Sequence, residues 1–146
     1  MKKMSENKVI DLARARELVA EQVAKKGEDF VYAAPAEMKS MDGYAGFYNH
    51  APGDAKAVPG CLFGHMFDDL GVLDRVSEGA SPGPILQGMG WDVSKQALMY
   101  MSSVQSRQDS GTAWGEAAVV SDKSVNDDVE FQRGRIEGFD ERETVR

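Results

Sequence analysis

Leu12, Ala15, Val19 and Val23 recur at spacings of three and four residues, which puts them on one stripe of a helix. Leu18 widens that stripe, and Arg14, Arg16, Glu17, Glu21 and Lys25 fall largely on the other side. Asp11 is suited to cap the start. Lys25 and Lys26 followed by Gly27 form a stop, with positive charge in the last turn and glycine just beyond it. The pattern predicts a helix over 11–26, led by a polar, frayed stretch over 1–8.

The period then changes. Phe30 to Ala34 reads as a short strand closed by Pro35. Residues 36–43 are polar and end on glycine, a loop. Tyr44 to Asn49 alternates bulky and small residues, as a second strand would. Pro52-Gly53 is a turn signal, and Lys56-Ala57-Val58 returns as a third strand. Together these predict a small antiparallel hairpin over about 30–58.

From Cys61 to Leu70 the helical period resumes in Leu62, Phe63, Met66, Phe67 and Leu70, with Gly71 at the stop. Gly64 inside this stretch costs about 1 kcal/mol relative to alanine, so another element is expected to pack closely there. A short amphipathic piece follows over 72–77. Residues 79–90 are rich in glycine and contain Pro82 and Pro84, which predicts a loop with Ile85-Leu86 as a hydrophobic plug. Asp92 or Ser94 then caps a second long helix over 92–109, whose stripe is Val93, Ala97, Met101 and Val104. Ser110-Gly111 stops it. A further helix is predicted over 112–120, with Ala113, Trp114, Ala117, Ala118 and Val120 on its apolar side. Beyond it, residues 121–146 hold eight acidic and five basic residues and no clean period.

The expected architecture is therefore α+β, mainly α, with about four helices around one core and a small antiparallel hairpin over one side. Residues 1–120 form a single globular domain. Residues 121–146 form a charged tail that is partly ordered or docks on a partner.

Charge narrows the functional classes. The chain has 146 residues and a net charge of -7. Residues 1–26 carry a surplus of +3, leaving -10 on the rest. The basic stripe that marks a nucleic-acid binder is missing, so direct nucleic-acid binding is not expected. An acidic mimic of nucleic acid is an alternative, if the acids gather on one face. Cys61 is the only cysteine, which excludes an intramolecular disulfide and suits a reducing compartment. No run approaches the roughly 18 apolar residues that span a bilayer. The opening MKKMSENKVIDL has lysines but no apolar segment of a secretory signal, so a cytoplasmic location is expected.

Candidate chemistry is sparse. Cys61 and His65 stand four residues apart in a predicted helix and share a face. Asp68 and Asp69 follow three and four residues after His65. Cysteine, histidine and carboxylate at helical spacing can begin a metal site or a thiolate–imidazole pair. His50 is the only other histidine and falls in the hairpin, so few ligands can converge. Cys61 then reads as a small buried hydrophobe and His65 as a partly buried polar residue. The glycines at 83, 88 and 90 match neither G-x-x-x-x-G-K-[ST] nor G-x-G-x-x-G. The adjacent acids Asp68-Asp69, Asp127-Asp128 and Asp140-Glu141 read as solvated charge. No catalytic, cofactor-binding or metal-binding residue is assigned, and no cofactor is expected. Met38, Met41, Tyr44, Phe47 and Tyr48 cluster in the hairpin region and are the candidate interaction surface, since methionine and aromatic side chains are enriched at interfaces.

Two stretches carry a resemblance. They are the run from Gly60-Cys61-Leu62-Phe63-Gly64-His65 to Val72, and the run from Gln105 through Gly111-Thr112-Ala113-Trp114 to Ala117. With the opening helix and the Gly-Pro linker, the layout over about 9–120 resembles small uncharacterised proteins of actinobacteriophages and their actinobacterial hosts. That resemblance implies no settled activity and carries over no catalytic residue. It implies a phage accessory protein that acts by contact inside a bacterial cell. The missing catalytic constellation, the aromatic and methionine hairpin and the charged tail make the expected function non-enzymatic, by protein–protein contact with a host protein or by self-association. The alternative is a small enzyme or metal-binding protein using Cys61, His65 and the nearby carboxylates.

Overall fold

Asp11 and Ser94 each open a fifteen-residue helix, and each is preceded by two residues of strand. In the computed structural model, which describes residues 8–33, 48–50, 57–78 and 80–127, these two strand–helix units run side by side. The elements in chain order are β1 (Val9–Ile10), α1 (Leu12–Lys26), α2 (Leu62–Asp69), a 3-10 turn (Leu73–Arg75), α3 (Pro82–Gly88), β2 (Asp92–Val93), α4 (Lys95–Asp109) and α5 (114–127). The mainly helical α+β class holds, with five α-helices among the described residues.

The helix starts follow from their caps. The Asp11 carboxylate accepts the Arg14 N–H at 2.8 Å, and the Ser94 hydroxyl accepts the Ala97 N–H at 3.1 Å. Each bond satisfies a donor that the first turn of a helix leaves open. Ser94 is thus the cap of the second long helix, and Asp92 belongs to a strand instead.

The sheet is a correction. It is two-stranded and parallel, with Val9 opposite Asp92 and Ile10 opposite Val93. The Asp92 N–H donates to Lys8 at 2.8 Å, and the Ser94 N–H donates to Ile10 at 3.0 Å. Ile10 and Val93 point into the core while Val9 and Asp92 face water, as the two-residue period of a strand requires. Antiparallel pairing does occur where a hairpin was expected, among the described residues as one bridge between Asn49 and Pro59. His50 N–H donates to Val58 at 2.7 Å, and Gly60 N–H donates to Tyr48 at 2.8 Å. Residues 30–33 form no strand. The carbonyls of Glu28 and Phe30 instead accept the Gly115 and Trp114 N–H groups, at 2.9 and 2.8 Å. They do at the start of α5 what a capping side chain does elsewhere, because Ala113 has none to offer. The rest of the expected hairpin, 34–47 and 51–56, lies outside the described residues.

Two more expectations change. The Gly-Pro segment expected as a loop contains α3. Pro82 and Pro84 lie in its first turn, where the missing N–H has no helical partner to lose. Leu86 is fully buried and Ile85 packs against the core, so the hydrophobic plug is real although its backbone is helical. The last helix, expected to end at 120, continues to 127, the last residue of the described range. Ser121 and Val125 on this extension are buried, and the Ser121 hydroxyl donates to Ser103 at 2.8 Å. The remainder of the expected tail, 128–146, lies outside the described residues.

One core joins all of this. It takes Ala15, Leu18 and Val19 from α1, Leu62, Phe63, Met66 and Phe67 from α2, Ala97, Tyr100, Met101 and Val104 from α4, and Trp114, Ala117 and Val125 from α5. Gly64 explains itself here. A Cβ on it would stand 2.2 Å from the Tyr48 carbonyl oxygen, so α2 and the 48–50 segment approach as closely as they do only over a glycine.

Candidate functional site

Cys61 sits at the N-cap of α2 and is wholly buried. Burial pushes its thiol up to about 12, against the opposing pull of the Gly64 and Phe63 amides. The thiolate is the nucleophilic and metal-ligating form, so this cysteine is held in its unreactive state at neutral pH. Glu78 and Asp109 act on it electrostatically, and both are half-buried carboxyls raised above their ordinary values by that burial.

The hydrogen bonds of this cluster run to backbone and to neighbours that hold backbone. Glu78 accepts the N–H groups of Tyr48 and Asn49 at 2.9 and 3.1 Å. Gln108, which is 1% exposed, accepts the Leu62 N–H at 2.7 Å and donates to Asp109 at 2.9 Å. The Leu62 amide opens α2 and has no partner within that helix. The Tyr48 hydroxyl donates to the Ala80 carbonyl, and its ring meets Phe67 edge-on at 5.0 Å. These contacts fasten the 48–49 segment, the start of α2 and the end of α4 to one another.

His65 has different surroundings. It is half-buried, and its ring lies 6.1 Å from that of Trp114. Its proton affinity is lowered by burial and then by Lys26. Asp68 is exposed. Asp69 accepts from Lys25 at 2.8 Å and Gln22 at 2.7 Å. Burial raises the Asp69 carboxyl, but those two bonds outweigh it and leave it below its ordinary value. The expected set therefore divides: Cys61 feels the charges of Glu78 and Asp109, whereas His65 feels those of Lys25, Lys26, Asp68 and Asp69. Among the described residues no group of three or more His, Cys, Asp or Glu is placed to hold a metal ion.

The expected interaction surface is mostly beyond view. Met38, Met41, Tyr44 and Phe47 lie outside the described residues. Tyr48 is 2% exposed and belongs to the core, because its ring packs on Phe67 and its backbone lies against Gly64.

An apolar surface does occur elsewhere. Helices α1 and α5 lie side by side, joined at one end by Arg16, which bonds to Asp122 and donates to Asn126 at 3.0 Å. Toward the other end a groove of about 540 Å³ opens between them, lined by Ala20, Val23, Ala24, Gly27, Glu28, Gly115, Ala118 and Val119. Gly115 lets the Glu28 backbone come in, since a Cβ there would stand 2.7–2.9 Å from Glu28 atoms. Val119 is 70% exposed, the most of any large apolar side chain among the described residues. The sequence signal was present in Ala20, Ala24, Ala118 and Val119. Ala20, Ala24 and Val119 lie outside the main stripes and attract no notice in a periodicity count, and Ala118 reads as one more core position. A second groove of about 540 Å³ is lined by Met99, Ser102, Ser103, Ser106, Arg107, Ser110 and Thr112. Two of its hydroxyls are engaged, Ser103 by Ser121 and Ser110 by the Ser106 carbonyl.

Comparison of the chain with protein-family models, with curated proteins and with solved structures found no match.

Proposed function

We propose that this chain is a non-enzymatic, phage-type accessory protein that acts by contact with another protein inside a bacterial cell. The observation that carries the contact reading is the α1–α5 groove. A surface-facing helix pair ordinarily turns charged or polar residues to water. Here it turns Ala20, Ala24 and Val119 outward around a concave floor. The state of the candidate chemistry supports the same reading. The Cys61 thiol is buried and raised, Glu78 beside it accepts backbone N–H groups, and Asp109 accepts from the Gln108 side chain. The phage origin and cytoplasmic location rest on the sequence resemblance and the lone cysteine. No helix among the described residues is long and apolar enough to cross a membrane.

Site-directed photocrosslinking in actinobacterial cells tests the reading. A photoreactive residue is placed in turn at the exposed positions Val9, Val58, Arg107 and Val119. A discrete protein adduct at one position, absent at the others, is the expected result. A folded protein that gives no adduct at any position and sediments as a monomer overturns it.

A further inference from the structure

The α1–α5 groove has a floor of small side chains. Ala20, Ala24 and Ala118 project only methyl groups, and Gly27 and Gly115 project nothing. A visiting apolar side chain therefore comes close to the two helix backbones. Its volume of about 540 Å³ accommodates more than one such side chain.

Its rim is acidic. Glu28 lines the groove itself. Glu21 stands three residues before Ala24, and Glu116 three before Val119, so each carboxylate neighbours a lining residue on its own helix. All three are exposed. Other acids on these two helices have cations: Glu17 has Arg14, Asp122 has Arg16 and Asp127 has Lys123. The Glu21, Glu28 and Glu116 carboxylates have no ion pair or hydrogen bond among the described residues. The basic side chains at the end of α1 are turned to other tasks, Lys25 to Asp69 and Lys26 to the Phe30 ring. The carboxylates beside the groove are thus left without counter-charge, on a chain of net charge -7.

That pattern selects an occupant. A second copy in a symmetric contact would bring the same three carboxylates to the same seam, and like charges oppose it. We propose that the groove receives an amphipathic helix of a partner protein, with its apolar side chains in the groove and Lys or Arg on its flanks against Glu21, Glu28 and Glu116. Laying an apolar helix face into such a groove is a recurrent way to recognise a peptide. This inference rests on the contact reading above.

The test uses the full chain and a designed capped peptide of about 16 residues, long enough to hold a helix on binding. It carries leucines along one face and lysines on its flanks. One control peptide has serine for leucine, and another has glutamate for lysine. Binding is measured by calorimetry to the natural chain and to two charge-reversed triples. One triple is Glu21→Lys, Glu28→Lys and Glu116→Lys. The other is Asp68→Lys, Asp74→Lys and Asp92→Lys, exposed acids that do not line the groove, with the same change in net charge. The rim triple is expected to weaken the lysine peptide by about tenfold, which three exposed charge pairs of ordinary strength supply together. The distant triple is expected to change it less than about threefold, as screened distant charges do. Val119→Ser is expected to weaken binding without unfolding an already exposed position, and the serine peptide is expected not to bind. Equal losses in both triples, or no loss with the rim triple, overturn the proposal. Photocrosslinking in cells separates the two levels. An adduct at Arg107 with none at Val119 sinks the groove and spares the contact reading, whereas no adduct anywhere from a chain that sediments as a monomer sinks both. A crosslinked dimer of this chain at Val119 overturns the helical partner as occupant.

Discussion

Replacing Gly64 with alanine sets local propensity against packing, and the two predict opposite signs. Gly64 lies inside α2, so alanine there is expected to gain about 1 kcal/mol from helix propensity alone. The structure predicts a loss. The new methyl would stand 2.2 Å from the Tyr48 oxygen, 2.9 Å from its carbonyl carbon and 3.0 Å from its Cα. These are backbone atoms, and they are held from several sides. The Tyr48 carbonyl accepts the Gly60 N–H at 2.8 Å, and its N–H donates to Glu78 at 2.9 Å. Its ring is buried on Phe67. Overpacking of a held neighbour costs about 1–3 kcal/mol, and loss of the Gly60 bond adds roughly 1 kcal/mol. After subtracting the propensity gain, Gly64→Ala is expected to destabilise the chain by about 1–3 kcal/mol. Gly88 is the internal control. It also lies in a helix, but nothing stands within 4 Å of a Cβ placed on it. Gly88→Ala is therefore expected to be neutral or to stabilise by up to about 1 kcal/mol. Urea unfolding at 25 °C reads both variants as shifts in midpoint at unchanged slope. If Gly64→Ala is as stable as the natural chain, or more so, the close approach of α2 and Tyr48 is refuted.

Other consequences follow from the same packing. Gln108→Leu leaves the buried Leu62 N–H without its acceptor and is expected to cost about 1–3 kcal/mol; an unchanged urea midpoint contradicts this. Cys61 is expected to react with a thiol reagent at pH 8 only slowly in the native chain and at once in denaturant, since it is fully buried with its pKa pushed up to about 12; immediate native reaction refutes that burial. Asp109 is raised by burial in the folded chain, so the stability it contributes is fully present below its unfolded pKa and is lost as pH rises from there through its folded pKa. The stability of Asp109→Asn relative to the natural chain is therefore expected to improve between pH 4 and pH 7; a constant or opposite difference counts against that burial. Loss of the Asp11 cap in Asp11→Ala is expected to cost about 1 kcal/mol by the same urea assay, and no loss would mean that the bond to Arg14 is not what starts α1.

What the sequence revealed depended on whether the controlling information was local. Asp11, the stripe through Val19 and the stop at Gly27 lie within one helix, and α1 came out with its ends in place. Gly64 was legible as a close approach, although not that Tyr48 would be the neighbour. The parallel sheet was not legible. Each strand has two residues, and Val9 finds Asp92 across most of the chain. Its formation also decided between Asp92 and Ser94 as cap. The helix α3 was hidden because Pro82 and Pro84 read as breakers, although both sit in a first turn that tolerates them. The extension of α5 is hidden in the sequence for a different reason. Trp114, Ala117, Ser121 and Val125 keep spacings of three and four, but Ser121 is polar and the surrounding acids suggested a tail. Its hydroxyl is satisfied by Ser103, which no local pattern shows. At the site, Tyr48 was expected outside because aromatic residues favour interfaces, yet the fold uses it inside. The groove escaped notice because alanine contributes little to any hydrophobic count.

Contact through the α1–α5 groove is tested most directly by amide NMR of the full chain titrated with the lysine-flanked leucine peptide. Saturable shifts concentrated at 20–28 and 115–119 are the expected result, reaching saturation only at about tenfold more peptide in the Glu21, Glu28, Glu116 reversal. Shifts spread over exposed acids throughout the chain, or centred on the serine-lined groove from Met99 to Thr112, would contradict it.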